Sequence, residues 1–112
     1  MNVFVQKQKE KVFKNCLLQG AALVVIYTIH PGVIIPKDIT YIEQDDLKIP
    51  IARINFSQRF ANTLSWDKDA IHQLLNFGTY TFDVTIPWPA VVAIISKDKK
   101  IQQTWAYEPE EG

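Results

Sequence analysis

The chain has one cysteine, Cys16. No intramolecular disulfide can form, and no second thiol offers a metal-ligand spacing. Cysteine usage of this kind points to a reducing cytoplasm, with Cys16 a small buried hydrophobe among Phe13, Leu17 and Leu18. Glycine is scarce too, at four residues in 112, so little backbone can approach a phosphate closely. No phosphate-cradling loop, dinucleotide fingerprint, G-x-S-x-G elbow or H-E-x-x-H pair is present. Histidines are few: His30 in a turn and His72 in a strand. Surplus charge is also missing, since 12 basic side chains balance 12 acidic ones. Phosphate affinity rests on surplus positive charge, so nucleic-acid binding is not expected as the main task. The longest apolar run, residues 21–26, is too short to cross a bilayer. The N-terminus lacks the order of basic segment, apolar core and cleavage site that marks a secretory leader. Enzyme, metal protein and membrane protein all recede, and no cofactor is expected.

What is present is a single soluble domain. Hydrophobic residues make up 47% of the chain and charged residues 21%, an ordinary globular balance. Residues 3–18 read as a helix, with Val5, Val12, Phe13, Cys16 and Leu17 in one stripe. Lys7, Lys9, Lys11 and Lys14 fall largely outside that stripe, on a solvated face, and Gly20 suits a left-handed cap. Residues 22–29 form a core strand, and His30-Pro31-Gly32 an exposed turn. Glu43, Asp45 and Asp46 lie close together, but no glycine sits where a calcium loop needs one. Residues 48–56 contain a strand in which Ala52, Ile54 and Phe56 alternate with Arg53 and Asn55. A bend over 57–62, a short strand over 63–66 and a turn at Asp67-Lys68-Asp69 follow. Residues 70–77 are a strand, and Gly78 permits the next turn.

The most informative stretch is residues 77–96. Tyr80, Phe82, Val84 and Ile86 alternate with Thr81, Asp83 and Thr85, the period of a half-buried strand. Pro87 and Pro89 end it, because neither donates a ladder hydrogen bond. Residues 91–95 are nearly all apolar, as in a strand buried on both faces. A charged tip over 98–100 leads to a last strand with Ile101, Gln103, Trp105 and Tyr107 on one face. The expected fold is mainly β with one N-terminal helix: six or seven strands in a small antiparallel β-barrel, whose closure removes exposed edges.

Several blocks in order carry a family likeness. They are Leu23-Val24-Val25 with Pro31-Gly32-Val33 and Pro36; Ile54-Asn55-Phe56-Ser57 with Arg59 and Leu64; Phe77-Gly78; Val84-Thr85-Ile86-Pro87; Ala90-Val91-Val92-Ala93-Ile94; and Glu108-Pro109-Glu110. Over residues 22–110 the sequence resembles the stringent starvation protein B (SspB) family, adaptors that deliver tagged proteins to the ClpXP protease. The resemblance implies an Sm-like barrel over 21–110 with a terminal stub at 111–112. It also implies a helix over 1–20 that pairs two chains as a homodimer. A surface groove would hold an extended degradation-tag peptide of the ssrA type. Carried over by position, the groove is built from Ser57, Phe60, Leu74, Leu75, Asn76 and Phe77, and strand alternation leaves open which half of 73–77 faces it.

Four departures qualify the likeness. Leu75 stands where the family commonly has alanine, Thr79 replaces a frequent glycine, and the connection over 37–54 is longer. The family's flexible acidic tail, which docks on the ClpX unfoldase, has no counterpart before the chain stops at Gly112. Either that tail was removed or the peptide is held without the familiar tether. Two other readings keep the barrel. One is an RNA-binding module stacking bases on Trp66, Trp88 and Trp105. The other is a dimeric assembly protein that has lost peptide binding.

Overall fold

A computed structural model describes residues 3–42, 49–57 and 63–108. The helix α1 spans Val3–Leu18. Gly20 ends it at φ +114°, with the amides of Gln19 and Gly20 donating to the carbonyls of Cys16 and Leu17 at 3.0 and 2.9 Å. Eight strands follow: β1 (Ala21–Tyr27), β2 (Tyr41–Ile42), β3 (Pro50–Ser57), β4 (Ser65–Trp66), β5 (Ala70–Asn76), β6 (Thr81–Pro87), β7 (Val91–Ser96) and β8 (Gln102–Thr104).

The strands do not close into the expected barrel. Among the described residues they form two antiparallel sheets, one ordered β2-β3-β1-β7-β8 and the other β4-β5-β6. The seam between β6 and β7 has a clear physical cause. Pro87 ends β6, and a 3₁₀ turn at Trp88–Ala90 carries Pro89. Two residues without an amide proton break the ladder where a continuous sheet would have to bend. The other half of the expectation stands: the protein is mainly β with one helix.

The core lies between the sheets and under α1. Ala22, Val24 and Ile26 of β1 face Phe56, Ile54 and Ala52 of β3 across the ladder, all buried. Ile71 of β5 and Val84 and Ile86 of β6 approach from the smaller sheet. The helix inserts Phe13, Cys16 and Leu17. Phe13 is ringed edge-on by Phe56, Trp66 and Trp88 at 5.6, 5.4 and 5.8 Å, the geometry aromatic quadrupoles favour. The Trp88 indole N–H donates to the Asp67 carbonyl at 2.8 Å, which satisfies the polar atom of a fully buried ring. On β7, Val91, Ala93 and Ile94 are buried while Val92 and Ile95 are only half-buried, so that strand is sealed on one face, not two.

Two residues depart from their expected surroundings. Lys9 is 0% exposed and does not share the solvated face of Lys7, Lys11 and Lys14. His30 is 7% exposed, not an open turn residue. Its Nδ1 accepts the Gly32 amide at 3.0 Å, and its ring stands edge-on to Tyr107 at 6.4 Å. Both are covered by the far end of the chain. Among the described residues, no helix is long and apolar enough to cross a membrane.

Candidate functional site

The β5–β6 hairpin carries four of the six residues expected to hold peptide. Its ladder pairs Ile71 with Ile86, Gln73 with Val84, Leu75 with Phe82 and Asn76 with Thr81. Pleating sends Ile71, Gln73 and Leu75 to the core side and His72, Leu74 and Asn76 to the other. Burial falls along the inner side: Ile71 and Gln73 are fully buried, whereas Leu75 and Phe77 are half-buried. The hairpin therefore outruns the core. At its far end Leu75, Phe77 and Phe82 pack against the core from one side and meet solvent on the other. Thr63 Oγ1 donates to the Leu74 carbonyl at 3.3 Å, which brings its chain neighbour Leu64, also half-buried, to this end.

Local chemistry fixes the hairpin tip. Gly78 has φ +92°, Asn76 Oδ1 accepts the Gly78 amide at 2.8 Å, and the Phe77 amide donates to Tyr80 at 2.9 Å. Asn76 is thereby engaged as a turn former. The Phe77 and Tyr80 rings stack at 5.8 Å. The Tyr80 hydroxyl donates to Asp38 Oδ1 at 2.7 Å, tying the tip to the 3₁₀ turn at Lys37–Ile39. That hydrogen bond, with desolvation and the carboxylate's charge adding to it, raises the phenol's pKa.

The six expected residues do not share one face. Leu75 and Phe77 come together on the inner side. Leu74, 44% exposed, and Asn76 point the other way. Ser57 ends β3 in the larger sheet, where its hydroxyl donates to the Gly20 carbonyl at 3.4 Å. Phe60 lies outside the described residues. Phe82, Leu64 and Tyr80 join the site without having been anticipated. Phe82 carried a signal, since its place in the alternating run puts it on the same side as Val84 and Ile86.

Elsewhere, an open pocket of about 370 Å³ lies on the outer face of the larger sheet, lined by Val25, Tyr27, Ile51, Arg53, Val92 and Trp105 among others. Among the described residues, none of those expected to hold peptide lines it. On the outer face of the smaller sheet, His72 Nδ1 is 3.2 Å from Thr85 Oγ1, and Nε2 is 3.9 Å from Asp67 Oδ2. Hydroxyl, imidazole and carboxylate in a row resemble a hydrolase triad in composition only. The hydroxyl sits on Nδ1 and the acid on Nε2, the reverse of the productive order. Both ends of the His72–Asp67 pair are also open to water. Asp67 is already engaged by the amides of Asp69 and Ala70 at 2.7 and 3.0 Å, which hold its carboxyl below the usual range. The Cys16 thiol is buried, and burial pushes its pKa up, away from the reactive thiolate. Among the described residues, no group of three or more metal-ligating side chains is gathered.

No family model matches the chain, and no curated protein matches it. The SspB likeness therefore rests on the sequence blocks alone. In the fold, Ile54-Asn55-Phe56-Ser57 ends β3, Phe77-Gly78 opens the β5–β6 turn, and Val84-Thr85-Ile86-Pro87 ends β6.

Proposed function

We propose that the protein is a non-enzymatic adaptor. It captures an extended degradation-tag peptide of the ssrA type and hands tagged chains to a ClpXP-type protease. The observation that carries this reading is the decline of burial along the inner side of β5, from the sealed Ile71 to the half-covered Leu75 and Phe77, with Phe82 beside them. Apolar side chains that a protein's own core leaves half open suit alternate side chains of an extended peptide, whose main chain adds hydrogen bonds. The SspB-like blocks flank this hairpin and supply the class of ligand. Pairing of two chains through α1 belongs to the same proposal, supported by Phe4 and Leu18, exposed at the two ends of that helix.

Of the three tryptophans behind the RNA reading, one is sealed and two are half-buried. Trp88 is fully buried, Trp66 packs edge-on to Phe13, and the Trp105 ring lies under Lys9 with its indole N–H on Gln8 Oε1 at 3.1 Å. All three are engaged within the fold.

Titration of a fluorescent tag peptide tests the proposal. Saturable binding with a Kd of about 10 μM or tighter is expected, and a scrambled peptide should not compete. Absence of saturation at about 100 μM peptide rejects tag capture.

A further inference from the structure

Lys9 is the one fully buried cation among the described residues. Its Nζ donates to the Trp88 carbonyl at 2.8 Å, lies 3.4 Å from Glu108 Oε2, and sits 5.7 Å from the centre of the Trp105 ring. The neighbouring Gln8 accepts the Trp105 indole N–H. The segment 105–108 is held from the other side as well. The Trp105 amide donates to the Val92 carbonyl at 2.9 Å, and the Glu108 amide to the Pro89 carbonyl at 3.3 Å. Residues 105–108 thus run between the start of β7 and the helix, gripped by both.

An ammonium group withdrawn from water is tolerated only with a counter-charge and filled hydrogen bonds. Burial lowers the Lys9 pKa, and Glu108 opposes that shift through its charge and hydrogen bond. Glu108 is 99 residues away in sequence and, among the described residues, is the acidic side chain that acts on Lys9, while the Trp88 carbonyl and the Trp105 ring complete the surroundings. We propose that residues 105–108 are a strap whose Glu108 licenses the burial of Lys9, so that docking of the strap and docking of α1 are one coupled event. Displacing the strap strips a buried cation of its counter-charge and its aromatic cover, and the helix loosens with it. A contact made at the end of the fold is in this way transmitted to the N-terminal helix through a two-state element.

Amide hydrogen exchange on the full chain tests the coupling, with the Ile54 and Ile94 amides as the reference for global opening. Glu108→Gln is expected to speed exchange on the order of tenfold both in the strap and in α1, while the reference amides change less. Lys9→Met alone should leave both segments protected, because a flexible apolar chain needs no counter-charge. Adding Lys9→Met to Glu108→Gln should restore protection to α1, since no cation remains to compensate. Faster exchange confined to the strap in Glu108→Gln overturns the proposal. So does a double variant whose helix exchanges as fast as in Glu108→Gln alone.

Discussion

Phe13 and Phe82 both face the space between the two sheets, yet only one of them is sealed. Around Phe13 the helix closes the space: Phe56, Trp66 and Trp88 surround the ring, and the one polar atom of Trp88 is satisfied. Among the described residues, no helix covers Phe82 in the same way. Its cross-strand partner Leu75 and nearby Phe77 are left half-covered. The two ends are similar in residue type and differ in what covers them. Apolar content alone does not mark a binding site; apolar content that the chain fails to cover does.

The largest effect should come from the sealed end. Phe13→Ala opens a cavity among three aromatic neighbours and is expected to cost about 3–5 kcal/mol of stability, read by urea denaturation. A loss below about 1 kcal/mol would mean the sealed end collapses easily, and the contrast between the two ends would disappear. The open end should respond differently. Leu75→Ala removes a side chain that is only half-buried, so its stability cost should be about 1–2 kcal/mol, below that of a fully buried leucine. Affinity for tag peptide should fall by about tenfold or more, equivalent to about 1.4 kcal/mol. A variant that loses stability but keeps its affinity would make Leu75 plain core.

Much of the local fold was legible in the sequence, and the limits of legibility are physical. The helix, its Gly20 cap and the alternation of β3 and β6 are set by local periodicity, and they form where periodicity puts them. Sheet closure is not local: it depends on which strands pair across a corner, and Pro87 and Pro89 were a visible warning against continuity there. Lys9 shows a subtler limit. It lies four residues before Phe13 and seven before Cys16, a helical spacing that places it inward, while its chemistry argues for the outside. Residue type prevailed in the sequence reading, because the acid that makes burial tolerable is 99 residues away. His30 failed for the same reason, its cover coming from Tyr107. At the candidate site, alternation divided 70–77 into two faces but gave no hint of which end of the hairpin the core would leave uncovered.

A smaller effect separates the lysine from the rest of the sealed end. The Lys9 pKa is lowered in the fold by desolvation, against which Glu108 works. Below that lowered pKa both states carry the proton, and the burial penalty is fully present. Between it and the ordinary lysine value the unfolded chain binds more protons, so this group makes stability rise with pH. Above the ordinary value the penalty is gone. Any stability advantage of Lys9→Met over the parent should therefore shrink from about pH 8 to about pH 10, as read by Tm. Cys16 and Tyr80, both raised, act in the opposite direction. They are present in both proteins, so the difference isolates the lysine. A constant difference across that range would show that Lys9 holds its proton as tightly in the fold as in the unfolded chain.

The smallest effect is the one that sharpens the comparison most. Leu74 is an exposed apolar residue one position from Leu75, on the opposite face and across from Asp83. Leu74→Ser should change stability by no more than about 0.5 kcal/mol, as for other surface sites. If peptide is held on the half-covered inner side, its affinity should also stay within about twofold of the parent, a difference under 0.5 kcal/mol. The two leucines share a strand and a side-chain chemistry, and differ only in the face they occupy. A loss of affinity in Leu74→Ser, with Leu75→Ala unaffected, would move recognition to the outer face of the smaller sheet. The uncovered end beside Phe82 would then be no more than an incompletely packed core.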